Sequence, residues 1–157
     1  YGNSDVAPYS EQFYVGGANS IRAFTIRSLG PGSYHPAEDN KYAYIDQTGD
    51  IRLEANMEYR FRIIQDLHGA VFMDAGNVWL LREDATRPGG RFQWKGLADE
   101  IAVGTGAGLR YDLSFLVIRV DCGVALHLPY TTSRKGYYNI PKFKDGLGWH
   151  LAIGYPF

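Results

Sequence analysis

The chain has 157 residues, a formal net charge of −1, 19 glycines and 12 tyrosines. Near-neutral charge gives no electrostatic footprint for a nucleic-acid partner, and no run of about 18 apolar residues could cross a membrane as a helix. The single cysteine, Cys122, excludes an internal disulfide; between Val120 and Val124 it reads as an inert packing residue.

Crossing by strands remains open, because a barrel strand needs only about 9–11 residues, half of them polar. The chain starts at Tyr1 in a polar, turn-like stretch with no visible secretory signal. It reads as a fragment or mature portion of something longer. Residues 1–50 form one long segment before the first clear periodicity, and segments of that length are usually functional or disordered.

From Ile51 the pattern is strict. Ile51, Leu53, Ala55, Met57, Tyr59, Phe61 and Ile63 alternate with Arg52, Glu54, Asn56, Glu58, Arg60 and Arg62. Successive strand side chains point to opposite faces, so this strand has one apolar and one charged face. Four more segments read as strands, giving 51–64, 68–80, 100–112, 116–128 and 147–157 in all, and helical periodicity is not convincing anywhere. In the third, Gly104, Gly106 and Gly108 alternate on the polar face. They lack the strand, turn and helix order of a nucleotide site and make room for something packed there. Arg110, Asp112, Arg119 and Asp121 read as a charge lattice on a wet wall, with Arg110 opposite Arg119. His127 and His150 are possible neighbours on that face, a weak metal argument without a third ligand. In the last segment Trp149, Leu151, Ile153, Tyr155 and Phe157 share one face. Gly154 weakens this strand and Pro156 fits only an edge or an end. Trp79, Trp149, Tyr155 and Phe157 near strand ends suit an interfacial girdle.

Short connections (65–67 and 113–115) alternate with long ones (81–99 and 129–146), as periplasmic turns alternate with external loops in outer-membrane barrels. The expected fold is therefore all-β: the C-terminal five strands of an antiparallel transmembrane β-barrel (51–157), with residues 1–50 as a long external loop folded into the lumen. Should a second sheet cover the apolar faces, the chain would instead be a soluble β-sandwich binding domain.

The long loop carries Val15-Gly16-Gly17-Ala18-Asn19-Ser20-Ile21-Arg22-Ala23-Phe24. This resembles the loop motif of the BamA/TamA superfamily of outer-membrane β-barrel assembly proteins, the bacterial surface antigen family, with Gly16, Gly17, Ser20, Ile21, Arg22, Ala23 and Phe24 as its residues. Leu53-Glu54-Ala55-Asn56-Met57-Glu58-Tyr59-Arg60 is similar to the strand after that loop, and Val71-Phe72-Met73-Asp74-Ala75-Gly76-Asn77-Val78-Trp79 to the next. Phe157 ends the chain as a terminal barrel strand does. Ala23 stands where the family most often has Gly, which leaves the backbone of the loop tip open.

The resemblance implies a larger barrel with periplasmic POTRA domains ahead of it, since five strands cannot close one of that kind. It implies that Arg22 folds into the lumen. With the first turn centred on Asp66, Glu58 and Asp74 face each other, a repulsive arrangement that an arginine fork between them relieves. Glu58 and Asp74 are thus the expected partners of Arg22. The alternative is that Arg60 neutralises them while Arg22 is solvated. Residues Trp149, Leu151, Ile153, Gly154, Tyr155, Pro156 and Phe157 look like an insertion signal and one side of a weak seam. The implied function is assembly or insertion of outer-membrane proteins by strand pairing at a lateral gate, or export of one protein through the lumen. The implied place is the bacterial outer membrane. The implied partners are outer-membrane lipid, unfolded outer-membrane protein substrates and accessory envelope proteins, with no nucleic acid, no cofactor and no enzymatic step.

Overall fold

The computed structural model describes residues 11–36 and 47–154. Its strands are β1 (Ile51–Ile64), β2 (Leu67–Trp79), β3 (Ala102–Asp112), β4 (Val117–His127) and β5 (Leu147–Gly154). They form one antiparallel sheet in the order β1-β2-β3-β4-β5, so every strand pairs with its neighbour in sequence. The first hairpin turns on Gln65 and Asp66, with Gln65 at φ 36, and the second turns through Ser114 at φ 71. Both are tight, as the short connections require.

The strand limits shift slightly from expectation. β3 begins at Ala102, because Leu97–Glu100 forms one helical turn, α1, entered through Gly96 at φ 90. A turn this short shows no periodicity in sequence. Residues Phe143–Gly146 make a 3-10 turn into β5. The expected end of the last strand, Tyr155, Pro156 and Phe157, lies outside the described residues.

Alternation sorts the two faces. Met57 is 74% exposed and Leu151 70%, and Leu53, Tyr59, Val71, Met73, Leu109, Tyr111, Trp149 and Ile153 share that exposed side. Among the described residues no second sheet covers this apolar side, so the β-sandwich expectation fails. The core lies on the opposite face. There Val15, Ile21, Ala23, Phe24 and Leu29 of the N-terminal segment pack against Val78, Ala102, Ala125 and Ile140. A sheet that buries its charged face under a loop and exposes its apolar face suits a barrel wall with lipid outside.

Glycines set how close the loop comes. Cross-strand pairing puts Gly106, Gly123 and Gly148 in one row. A Cβ on Gly123 would meet Ala23 Cα at 2.7 Å, and one on Gly104 would collide with Ala23 Cβ. Ala23 is not among the described non-glycine residues at positive φ, which are Arg27, Gln65 and Ser114. The left-handed backbone falls instead on Gly16 and Gly17, at φ 102 and 96. Alanine is therefore unstrained at the loop tip.

If the exposed row faces acyl chains, Met57→Lys at mid-strand destabilises the protein in bilayers by about 2–4 kcal/mol. Denaturant unfolding in vesicles checks this, and a change near zero would contradict the assignment of that face.

Candidate functional site

Residues 15–27 fold back as a compact hairpin. Gly17 N–H donates to Phe24 O at 2.8 Å, Phe24 N–H to Ile21 O at 3.1 Å, and Arg27 N–H to Val15 O at 3.0 Å. Ser20 Oγ accepts from Gly16 N–H at 3.0 Å and donates to Glu54 Oε2 at 3.0 Å. Asn56 Nδ2 donates to Ser20 O at 2.8 Å. Polar contacts with β1 thus fix the hairpin before its arginine is considered.

Arg22 sits at the centre. Its Nε and Nη2 donate to the two oxygens of Asp74, each at 2.8 Å, and its backbone N–H adds a third bond to Asp74 Oδ2 at 3.0 Å. Its Nη1 pairs with Glu58. The guanidinium carbon lies 3.7 Å from the centroid of the Phe72 ring, a cation–π floor. The side chain of Arg22 is 6% exposed and that of Asp74 is fully buried. Burial opposes the charge on Arg22, but Asp74 and Glu58 outweigh it and raise its pKa. The guanidinium therefore stays charged.

Glu58 and Asp74 do not face each other as the Asp66-centred turn implied. Ile64 pairs with Leu67, and an irregularity between Arg62 and Ile64 shifts the register further, so Glu58 lies opposite Phe72 and Asn56 opposite Asp74. The two carboxylates are diagonal neighbours on one face. Their repulsion is smaller than for a direct pair, and Phe72 occupies the gap beneath the arginine. Arg60 also reaches Glu58, at 2.5 Å, but the cation on Asp74 is Arg22, which is buried rather than solvated.

Arg110 and Asp121 extend the site beyond what sequence suggested. Arg110 Nη2 donates to Glu58 Oε2 at 2.9 Å and its Nη1 to Asp121 Oδ1 at 2.5 Å, with both side chains at most 5% exposed. Arg110 does lie opposite Arg119, but this is a buried chain of ion pairs rather than a wet lattice. Arg119 spans wall and loop: its Nε lies 3.8 Å from Asp121 Oδ2, and its Nη2 donates to Ala18 O at 2.8 Å and Asn19 Oδ1 at 2.7 Å. The hairpin is thus held by its own Arg22 against β1 and β2, and by Arg119 of β4 from the other side. The signal for these residues was parity, since all of them fall on the charged face. Which ones meet depended on the register and on where the loop lies.

His127 and His150 are not neighbours. His150 pairs with Asp121 on β4, six residues from His127, or about 20 Å along the strand. The His127 ring nitrogens meet Tyr137 O at 2.5 Å and Asp99 O at 2.8 Å, and the ring stacks on Tyr137. No cluster of three or more metal-ligating side chains occurs among the described residues. Cys122 is a free, partly buried thiol on the outward face. Of the terminal residues, Trp149, Leu151 and Ile153 are exposed on that same face, and Gly154 ends β5.

Arg22→Ala leaves the fully buried Asp74 without its cation, while Glu58 keeps Arg60 and Arg110, and loop docking weakens by about 3–5 kcal/mol. Arg119→Ala removes two charge-assisted bonds and weakens docking by about 1.5–3 kcal/mol. Hydrogen exchange at the Gly17 and Phe24 amides reads both. Protection unchanged in Arg22→Ala would show that the ion pairs do not hold the hairpin.

A model of the Omp85 superfamily domain matches residues 1–157, in agreement with the resemblance to the C-terminal part of a BamA/TamA-type barrel. Proteins of this superfamily reside in bacterial outer membranes or the equivalent organelle membranes and serve outer-membrane protein assembly or transport. With a five-stranded wall, an exposed apolar face and an arginine-tipped hairpin on the other face, the chain belongs to the Omp85 superfamily.

Proposed function

We propose that this chain is the C-terminal part of an outer-membrane assembly factor, which inserts client barrels by pairing their strands at a lateral opening beside its terminal strand. The observation that carries this reading is the docked hairpin. Arg22 ties it to β1 and β2, Arg119 ties it to β4, and β4 is the strand on which β5 hangs. The hairpin thus braces the wall from inside, up to the strand next to the last.

β5 is an outermost strand of the described sheet. Over its described residues, Leu147–Gly154, it pairs with β4 alone, and a Cβ at Gly154 would meet nothing within 4 Å. Where β5 parts from its neighbour across the proposed seam, that edge offers backbone donors and acceptors to an incoming strand, as in β-augmentation. Tyr155, Pro156 and Phe157 belong to the same proposed seam. Clients are unfolded outer-membrane proteins, the surrounding solvent is outer-membrane lipid, and accessory envelope proteins are expected partners. The reaction makes and breaks only hydrogen bonds, so it calls for no cofactor.

Export through the lumen is the competing role. The hairpin lies on the lumen face, so a passing chain would have to displace it and break the Arg22 contacts. Assembly at the seam leaves them intact.

The test uses the full-length protein in vesicles with a client barrel. Arg22→Glu sets a carboxylate against Asp74 and Glu58, and client insertion should fall by at least tenfold, the equivalent of about 1.4 kcal/mol. A disulfide between Ser20→Cys and Asn56→Cys, which pins the hairpin to β1, should leave insertion intact and would stop export. Normal insertion in Arg22→Glu with the hairpin open to protease would overturn the proposal, and so would loss of insertion on cross-linking.

A further inference from the structure

An aromatic ladder leaves the sheet at the end that carries the long connections. Trp79, the last residue of β2, has the parity of the outward-facing Val71 and Met73, yet it is fully buried. It is therefore not the lipid-facing girdle residue that its position suggested. Its indole N–H donates to Glu100 Oε2 at 2.7 Å, and Phe92 packs edge-on against it with ring centroids 5.6 Å apart. Trp94 packs edge-on against Phe92 at 5.1 Å and is 82% exposed. The backbone fixes this support: Leu80 N–H donates to Gly90 O at 2.8 Å and Phe92 N–H to Leu80 O at 2.9 Å. A large indole is thus held out from the sheet on an ordered base.

Its height can be judged from β2. The strand has 13 residues, about 43 Å of chain at about 3.3 Å per residue. Tilted by about 40°, it rises about 33 Å, while the apolar band of an outer-membrane barrel is about 25 Å tall. The end of β2 then stands just above the band, where headgroups lie and where tryptophan is enriched. The local charges match that layer. Arg91 and Lys95 flank Trp94 and both are exposed; the next acids in the chain are Asp99 and Glu100 of α1, and Glu100 is engaged by the Trp79 indole.

We infer that Trp94, with Arg91 and Lys95, docks the connection between β2 and β3 onto an anionic lipid headgroup layer. The indole lies at the interface and the two cations meet lipid phosphates. This goes beyond the assembly role and does not depend on it, since any barrel of this wall would carry the same anchor.

The test is tryptophan fluorescence of the full-length protein in vesicles. Subtracting the emission of Trp94→Phe, which keeps an aromatic on Phe92, isolates the signal of Trp94. Phosphatidylcholine brominated near the head of its acyl chains should remove most of that signal. Adding phosphatidylglycerol should deepen the loss, and Arg91→Gln with Lys95→Gln should abolish the deepening. A signal untouched by brominated lipid but quenched by aqueous acrylamide would overturn the inference in favour of a solvent-facing ring. A signal shielded from both would overturn it in favour of a protein partner. Quenching indifferent to phosphatidylglycerol would overturn the anionic docking.

Discussion

One cation held by two acids organises this structure. Arg22 is nearly buried, so its desolvation must be offset nearby or the loop would leave the wall. Asp74 offsets it with two side-chain bonds and accepts a third from the backbone of the same residue. Glu58 is shared among Arg22, Arg60 and Arg110. Removing any one charge leaves its neighbours mismatched, which is why such a cluster is costly to break even where its net contribution is small.

Charge alone does not bring the hairpin this close. Arg22 reaches Asp74 because Ala23, the next residue, lies against backbone rather than side chains, at Gly104 and Gly123. A β-branched residue at either glycine would lift the hairpin by more than a hydrogen bond tolerates. At Gly106 an added Cβ would meet the Phe72 ring at 2.5 Å, so the cation–π floor rests on a glycine too. Gly104 and Gly106 of β3 and Gly123 of β4 are thus the steric complement of the ion pairs on β1 and β2.

The architecture was legible because alternation is a local signal. Residues 51–63 declare both faces without exception, and the short and long connections fix the meander. Residue-level pairing was less legible. An off-centre turn and an irregularity near Ile63 each moved the register by one residue and together took Glu58 from Asp74 to Phe72, and nothing in the local sequence announces either. Arg110, Asp121 and Arg119 had the right parity, but their partners lie far off in sequence. Arg119 meets Ala18 and Asn19 about a hundred positions away, and no periodicity reports on such a contact. Trp79 misled for a related reason: the parity of a strand end says which way a side chain points, not whether a later segment folds over it.

Why ion pairs hold the hairpin, where apolar contacts could supply as much free energy, follows from geometry. Val15, Ile21, Phe24 and Leu29 already give the hairpin an apolar underside, and apolar contact has no preferred direction, so it would permit sliding along the wall. The planar fork of Arg22 accepts one placement on Asp74, and Arg119 grips the opposite shoulder of the same turn. Two directional contacts on opposite sides leave the hairpin neither a translation nor a rotation that preserves both. Apolar burial therefore keeps the segment on the wall, and the arginines decide where on the wall it stays.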